Sequence, residues 1–171
     1  PMGAPIILAL GRLHENKGFD VLLEALSVLP DVFLWLAGEG PQKRLLTRMA
    51  NNLKVSDRVR FLGWRLDTPN LLATADALIC PSRHEPLGNV ILEAWAQERP
   101  VIAAASDGPK ELIQNGKNGF LCEIDNAPNL ADAIQNILSD SRLAREIARD
   151  GAKTYKSNFS KNIVVGKYQD F

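Results

Sequence analysis

Short apolar runs and stretches of helix-spaced apolar positions alternate along this chain. Ile6 to Leu10 is continuous and apolar, as suits a strand buried on both faces, and it passes through Gly11-Arg-Leu-His-Glu-Asn-Lys-Gly18 into a helical pattern from Phe19 to Leu29. Val32 to Ala37 predicts a second strand, followed by Gly38-Glu-Gly-Pro41, where Pro41 is placed to open a helix running to about Leu53. Arg58 to Leu62 predicts a third strand ending at Gly63, Thr68 to Thr74 a short helix, and Ala75 to Cys80 a fourth strand. A helix then follows the turn Pro81 to Asn89. Val101 to Ala105 and Gly119 to Glu123 read as the fifth and sixth strands, with a short helix at Gly108 to Ile113 between them. Leu130 to Leu138 and Ser141 to about Lys156 are the closing helices, and Ser157 to Phe171 is expected to fray or to pack against a neighbour.

Strands alternating with helices at this spacing imply right-handed crossovers and an α/β, doubly wound, mostly parallel sheet of the Rossmann-like kind. Such sheets bind ligands at the carboxyl ends of their strands. Here those ends carry Gly11 to Gly18, Gly38 to Pro41, Gly63 to Asp67 and Pro81 to Asn89, which are expected to line one crevice. A length of 171 residues with 46% hydrophobic content supports a single domain with a full core. The start, Pro1-Met-Gly-Ala-Pro5, reads as an expression scar over residues 1–4 ahead of an excised half of a larger protein.

Composition narrows the partners. Twenty Lys and Arg balance twenty Asp and Glu, giving a formal net charge of +0 and no argument for nucleic acid as the main partner. Cys80 and Cys122 lie far apart in apolar runs without a CxxC spacing, so both are expected to be reduced core residues in a cytoplasmic protein. No apolar run approaches the roughly 18 residues of a spanning helix, and no signal peptide is recognisable.

The chemistry concentrates in Pro81 to Gln97. Its helix is apolar nearly all round, with Val90, Ile91, Leu92, Ala94, Trp95 and Ala96, and should be buried, yet Glu93 stands in its middle. A buried carboxylate needs a partner. That partner is either a basic side chain or the hydroxyls of a ligand, and Glu85 in the preceding turn would let two glutamates address two parts of one ligand. Arg12 and Lys17, in a glycine-flanked strand-to-helix loop, suit a diphosphate. The loop is neither GxGxxG nor a Walker motif. The first N–H groups of the Glu93 helix would face the same anion. Trp35 and Trp95 are assigned to packing, and His14 and His84 to solvated loop positions.

Gly11-Arg-Leu with Lys17-Gly18, Gly38-Glu-Gly-Pro, Phe61-Leu-Gly63, Pro81-Ser-Arg, Glu85-Pro-Leu-Gly-Asn-Val-Ile-Leu-Glu93-Ala and Gly116-Lys-Asn-Gly-Phe-Leu121 together resemble the C-terminal, donor-binding half of retaining family 4 glycosyltransferases, which are two-domain GT-B enzymes. The match covers nearly the whole chain in the family's order. It implies a nucleoside diphosphate sugar as donor substrate, no cofactor and no metal. Arg12 and Lys17 would hold the diphosphate beside Gly11 and act with Glu85 in catalysis, and Glu93 would hold the ribose. Glu85 and the backbone of Leu87, Gly88, Asn89 and Val90 would meet the sugar and distal phosphate. Arg65 would sit by the base mainly through its backbone, with Asp67 as a weaker candidate.

The resemblance also implies an N-terminal acceptor domain, absent here, without which this fragment would be inactive. Peripheral association of the full-length protein with the inner face of a membrane is compatible with it. A non-catalytic nucleotide-sugar binding module is the alternative. A receiver-type signalling domain would need an aspartate cluster after its first strand, where Gly11-Arg12 stands, and the missing GxGxxG disfavours an NAD-dependent enzyme.

Overall fold

The computed structural model describes residues 3–169, with the side chains of 167–169 outside that description; Pro1 and Met2 of the expected scar lie outside it too. Six strands form one parallel sheet: β1 (Ile6–Leu10), β2 (Phe33–Ala37), β3 (Val59–Gly63), β4 (Ala77–Cys80), β5 (Val101–Ala104) and β6 (Phe120–Cys122), in the order β3-β2-β1-β4-β5-β6. All pairings are parallel. The order reverses between β1 and β4, so the chain leaves these two neighbours in opposite directions and a crevice opens beyond their carboxyl ends.

Alternation within the apolar runs sorts side chains between two layers. Ile7 and Ala9 of β1, Leu34 and Leu36 of β2, and Ala77 and Ile79 of β4 enter one core with α1 (Phe19–Ser27), α2 (Lys43–Asn52) and α6 (Ala127–Ser139). Leu8 and Leu10, with Leu78 and Cys80, enter the other, against α3 (Thr68–Thr74) and α4 (Asn89–Ala96). Helices cover both faces, which is why these strands read as unbroken apolar runs. A short α5 (Asp107–Leu112) joins β5 to β6. Cys80 and Cys122 are free and buried.

Three expectations change. Pro41 does not open α2: it forms a turn with Gln42, whose N–H donates to the Leu13 carbonyl at 3.0 Å, and the helix starts at Lys43. The described residues after Ser157 are largely helical. The helix α7 (Ser141–Asn158) continues and α8 (Lys161–Gln169) follows it, because Ile147, Ala148, Gly151 and Ala152 keep one face of α7 buried and Tyr155 and Phe159 pack onto the α4 layer. Asp170 and Phe171 lie outside the described residues.

The third correction concerns α4, which is not buried all round. Ile91, Ala94 and Trp95 are fully buried, and the Trp95 indole N–H donates to the Asn118 carbonyl at 2.9 Å, while Asn89, Glu93 and Ala96 are exposed. The sheet and α7 occupy two sides of the helix. The third lines the crevice, so Glu93 never required a buried basic partner.

Candidate functional site

Close backbone contact builds the crevice. A Cβ at Gly38 would collide with the Gly11 carbonyl oxygen, so the loops after β1 and β2 touch main chain to main chain. Gly18 stands at φ 63°, where a Cβ would strike the Pro81 carbonyl oxygen, and this brings the β1–α1 loop against the β4–α4 loop. Between Gly11 and Gly18 lies a 3-10 turn, Glu15–Lys17, capped by His14, whose Nδ1 accepts the Asn16 N–H at 3.3 Å. His14 is thus a half-buried capping residue rather than a freely solvated one. His84 is exposed, as expected.

Lys17 and Glu85 meet across the two loops. The Lys17 ammonium donates to Glu85 Oε2 at 2.5 Å, the Gly88 N–H donates to Oε1 at 3.3 Å, and the buried Ser82 hydroxyl lies 3.5 Å from Oε2. Glu85 is only 9% exposed, and its own carbonyl accepts the Gly108 N–H at 2.8 Å. The two charges neutralise each other. Gly88 caps α4, and no side chain caps the first turn of that helix. Its orphan N–H groups therefore remain available to an anion.

Beside this pair lies a cavity of about 310 Å³, into which Gly11, Arg12, Gly38, Arg65, Val90 and Glu93 all face. Arg12 is exposed. Arg65 is fixed by a two-pronged pair with Asp67, at 2.7 and 2.6 Å, whose hydrogen bonds and charge hold the Asp67 carboxyl below the usual range. Glu93 lines both this cavity and a second one of about 410 Å³, walled by Leu92, Tyr155 and Phe159. Although Glu93 is exposed as a residue, desolvation of its carboxyl raises the pKa above the ordinary 4.5, against a smaller lowering by the Thr68 hydroxyl.

Of the residues singled out from the sequence, Gly11, Arg12, Arg65, Val90 and Glu93 line the 310 Å³ cavity. Lys17, Glu85 and Gly88 form the adjoining cluster on the neighbouring loops at the same carboxyl edge. Leu87 is 69% exposed, Asn89 lines the second cavity, and Asp67 reaches the site through Arg65. Among the lining residues not singled out are Thr68 and Trp64, the latter 74% exposed on the crevice wall. A tryptophan directly after the turn glycine Gly63, outside any apolar period, was the available signal for Trp64.

Fold and site together define a doubly wound parallel α/β domain whose crevice, at the point where strand order reverses, combines basic side chains, a helix head and two carboxylates. Residues 1–154 match the family described as glycosyl transferases group 1. The chain belongs to that family and has the fold of a GT-B C-terminal domain. It is 43% identical over 168 residues to the lipopolysaccharide core biosynthesis glycosyltransferase LpsE of Rhizobium meliloti, covering 98% of this chain and 49% of that protein. The chain thus spans about half the length of the curated relatives it matches.

Among solved structures, Anabaena HepE in complex with UDP-glucose superposes with a TM-score of 0.92 at 32% identity, covering 98% of this chain and 47% of that one. The C-terminal domain of the group 1 glycosyl transferase LpcC from Francisella tularensis, a structure of similar extent, gives a TM-score of 0.84 at 26% identity, with 92% and 87% covered. Among the described residues no helix is long and apolar enough to cross a membrane.

Proposed function

We propose that this chain is the donor-binding half of a retaining, metal-independent glycosyltransferase that takes its sugar from a nucleoside diphosphate. The observation that carries the reading is the Lys17–Glu85 pair beside the head of α4, which no side chain caps, with Glu93 one turn along the same helix. A ligand laid along the crevice meets, in order, a ribose acceptor at Glu93, phosphate donors at Arg12, Lys17 and the α4 N-terminus, and a sugar acceptor at Glu85. The UDP-glucose bound by HepE supports this ligand class.

The Lys17–Glu85 pair suggests how the donor is received. A distal phosphate competes with Glu85 for the Lys17 ammonium, and the carboxylate so released turns to the sugar hydroxyls, helped by the main chain of Leu87 to Val90. As the glycosidic bond breaks, charge builds on the leaving diphosphate, where Arg12, Lys17 and the helix dipole are fixed in advance. Glu85 orients the sugar and is not the nucleophile. Retaining glycosidases flank the sugar with two carboxylates roughly 5 to 5.5 Å apart, whereas Glu93 belongs to the ribose end. A covalent glycosyl adduct trapped on Glu85 would overturn this role.

The acceptor, and with it the cytoplasmic site of action, belongs to the whole protein, whose second half would complete the cleft. The test of donor binding is a thermal screen with UDP-, GDP- and ADP-sugars. One of them should raise Tm in proportion to the logarithm of its concentration, because it binds only the native state. A flat response to all three removes the reading.

A further inference from the structure

Beneath the Lys17–Glu85 pair, one side chain ties three loops together. Arg83 Nη1 donates to the Glu15 carbonyl at 2.6 Å, and Nη1 and Nη2 grip the Asp20 carboxylate at 2.9 and 2.7 Å. Nε forms an ion pair with Asp125 Oδ1 at 2.6 Å. Glu15 belongs to the 3-10 turn that carries Lys17, Asp20 to the first turn of α1, and Asp125 to the loop after β6, where it holds φ 58°. Arg83 itself follows β4, two positions before Glu85. One guanidinium therefore joins the carboxyl-end loops of β1, β4 and β6.

These contacts act on the turn that bears Lys17. Its backbone is held against the β4–α4 loop at three successive points: Glu15 by Arg83, Asn16 by the His84 N–H at 3.2 Å, and Gly18 by its close approach to Pro81. Lys17 projects from between these anchors. A planar guanidinium with five donors can satisfy a carbonyl and two carboxylates at once, which an ammonium on a flexible stem cannot do with the same geometry. Although burial raises the Asp20 carboxyl, the Arg83 hydrogen bonds and charge outweigh it and hold that carboxyl below 3.8, so the grip stays ionised at neutral pH.

We propose that Arg83 is a positioning residue for the distal phosphate: by clasping the Glu15–Lys17 turn to the α1 head and to the β6 loop, it sets where the Lys17 ammonium stands relative to Glu85. The inference rests on the donor reading above. It assigns Arg83 no contact with the ligand. Its effect must pass through Lys17, so it should discriminate ligands that carry a distal phosphate from those that do not.

The test compares UDP with UMP by titration calorimetry on the full-length protein, with Tm recorded for each variant. Arg83→Ala should weaken UDP about tenfold or more, the scale of a lost charge-assisted contact, and leave UMP within about twofold. Arg83→Lys should recover part of the UDP loss. Asp125→Asn, which removes only the outer arm at a side chain 54% exposed, should show the same selectivity at smaller size and decides the matter if Arg83→Ala does not fold. Unchanged UDP binding in the folded variants, or equal losses for UDP and UMP, overturns the positioning role. Where the wild type takes another base, GDP with GMP or ADP with AMP replaces this pair, and a wild-type protein that binds none of the three diphosphates instead removes the donor reading on which the inference rests.

Discussion

Lys17 serves the ligand and the fold together, whereas Glu93 serves the ligand at the expense of the fold. In the proposed reaction Lys17 would be worth more to the transition state than to the bound donor, since charge on the diphosphate would grow as the bond to sugar breaks. In the full-length enzyme Lys17→Ala should lower kcat on the order of 100-fold, with a much smaller change in KM for the donor. Steady-state kinetics decide it, and an unchanged kcat would end the electrostatic role. The same variant leaves Glu85 nearly buried without its cation, so a loss of about 1–3 kcal/mol in unfolding free energy should accompany it.

Glu93 behaves in the opposite sense. Its carboxyl is desolvated and its pKa raised, so folding is opposed by the ionised form. Below the ordinary value of 4.5 the group is protonated in both folded and unfolded chains, and nothing is lost. As pH rises from there through the raised folded value, the unfolded chain releases its proton first and stability falls. At neutral pH Glu93→Gln should therefore be slightly more stable than wild type in urea unfolding while binding the nucleotide more weakly. Equal pH–stability curves for the two proteins would contradict the desolvation account.

At the scale of elements, the head of α4 is aimed by the helix behind it. Gly151 of α7 lies so close to Trp95 that a Cβ there would collide with the indole, and the Trp95 N–H is in turn fixed to the Asn118 carbonyl. Gly151→Ala should cost about 1–3 kcal/mol, the usual range for overpacking, and appear as a lower urea midpoint at constant m. The packing at this contact was not legible in the sequence, where Gly151 sits as an unremarkable residue inside a helical pattern. The strands were legible because burial on both faces leaves an uninterrupted apolar run. The sidedness of α4 was not, since a helix with apolar residues all round reads as fully buried when one face instead lines a cleft bordered by Thr68, Leu92 and Tyr155.

At the scale of the molecule, the chain is one half of what its relatives comprise. In the proposed reading, donor binding would require only the carboxyl edge of this sheet, whereas transfer would require an acceptor held opposite it. The isolated chain should bind the donor sugar in calorimetry and release no sugar above background, while the full-length protein turns over. Measurable transfer by the isolated chain would contradict this division.

The sequence by itself determined the alternation of strand and helix, the glycine loops, and the chemical kinds gathered after the strands, because these depend on local periodicity and on residue type. It placed Arg12, Lys17 and Glu85 in the loops after strands, and Glu93 inside the helix that follows Glu85, in elements whose partners follow from topology. Only the tertiary structure decided that Lys17 and Glu85 neutralise each other at 2.5 Å, that Glu93 is exposed to the crevice, and that Trp64 and Thr68 share its wall. The clasp of Arg83 on Glu15, Asp20 and Asp125 belongs with these. Each depends on how closely loops distant in the chain approach one another, and that distance is set by the packing of the whole sheet rather than by any stretch of sequence.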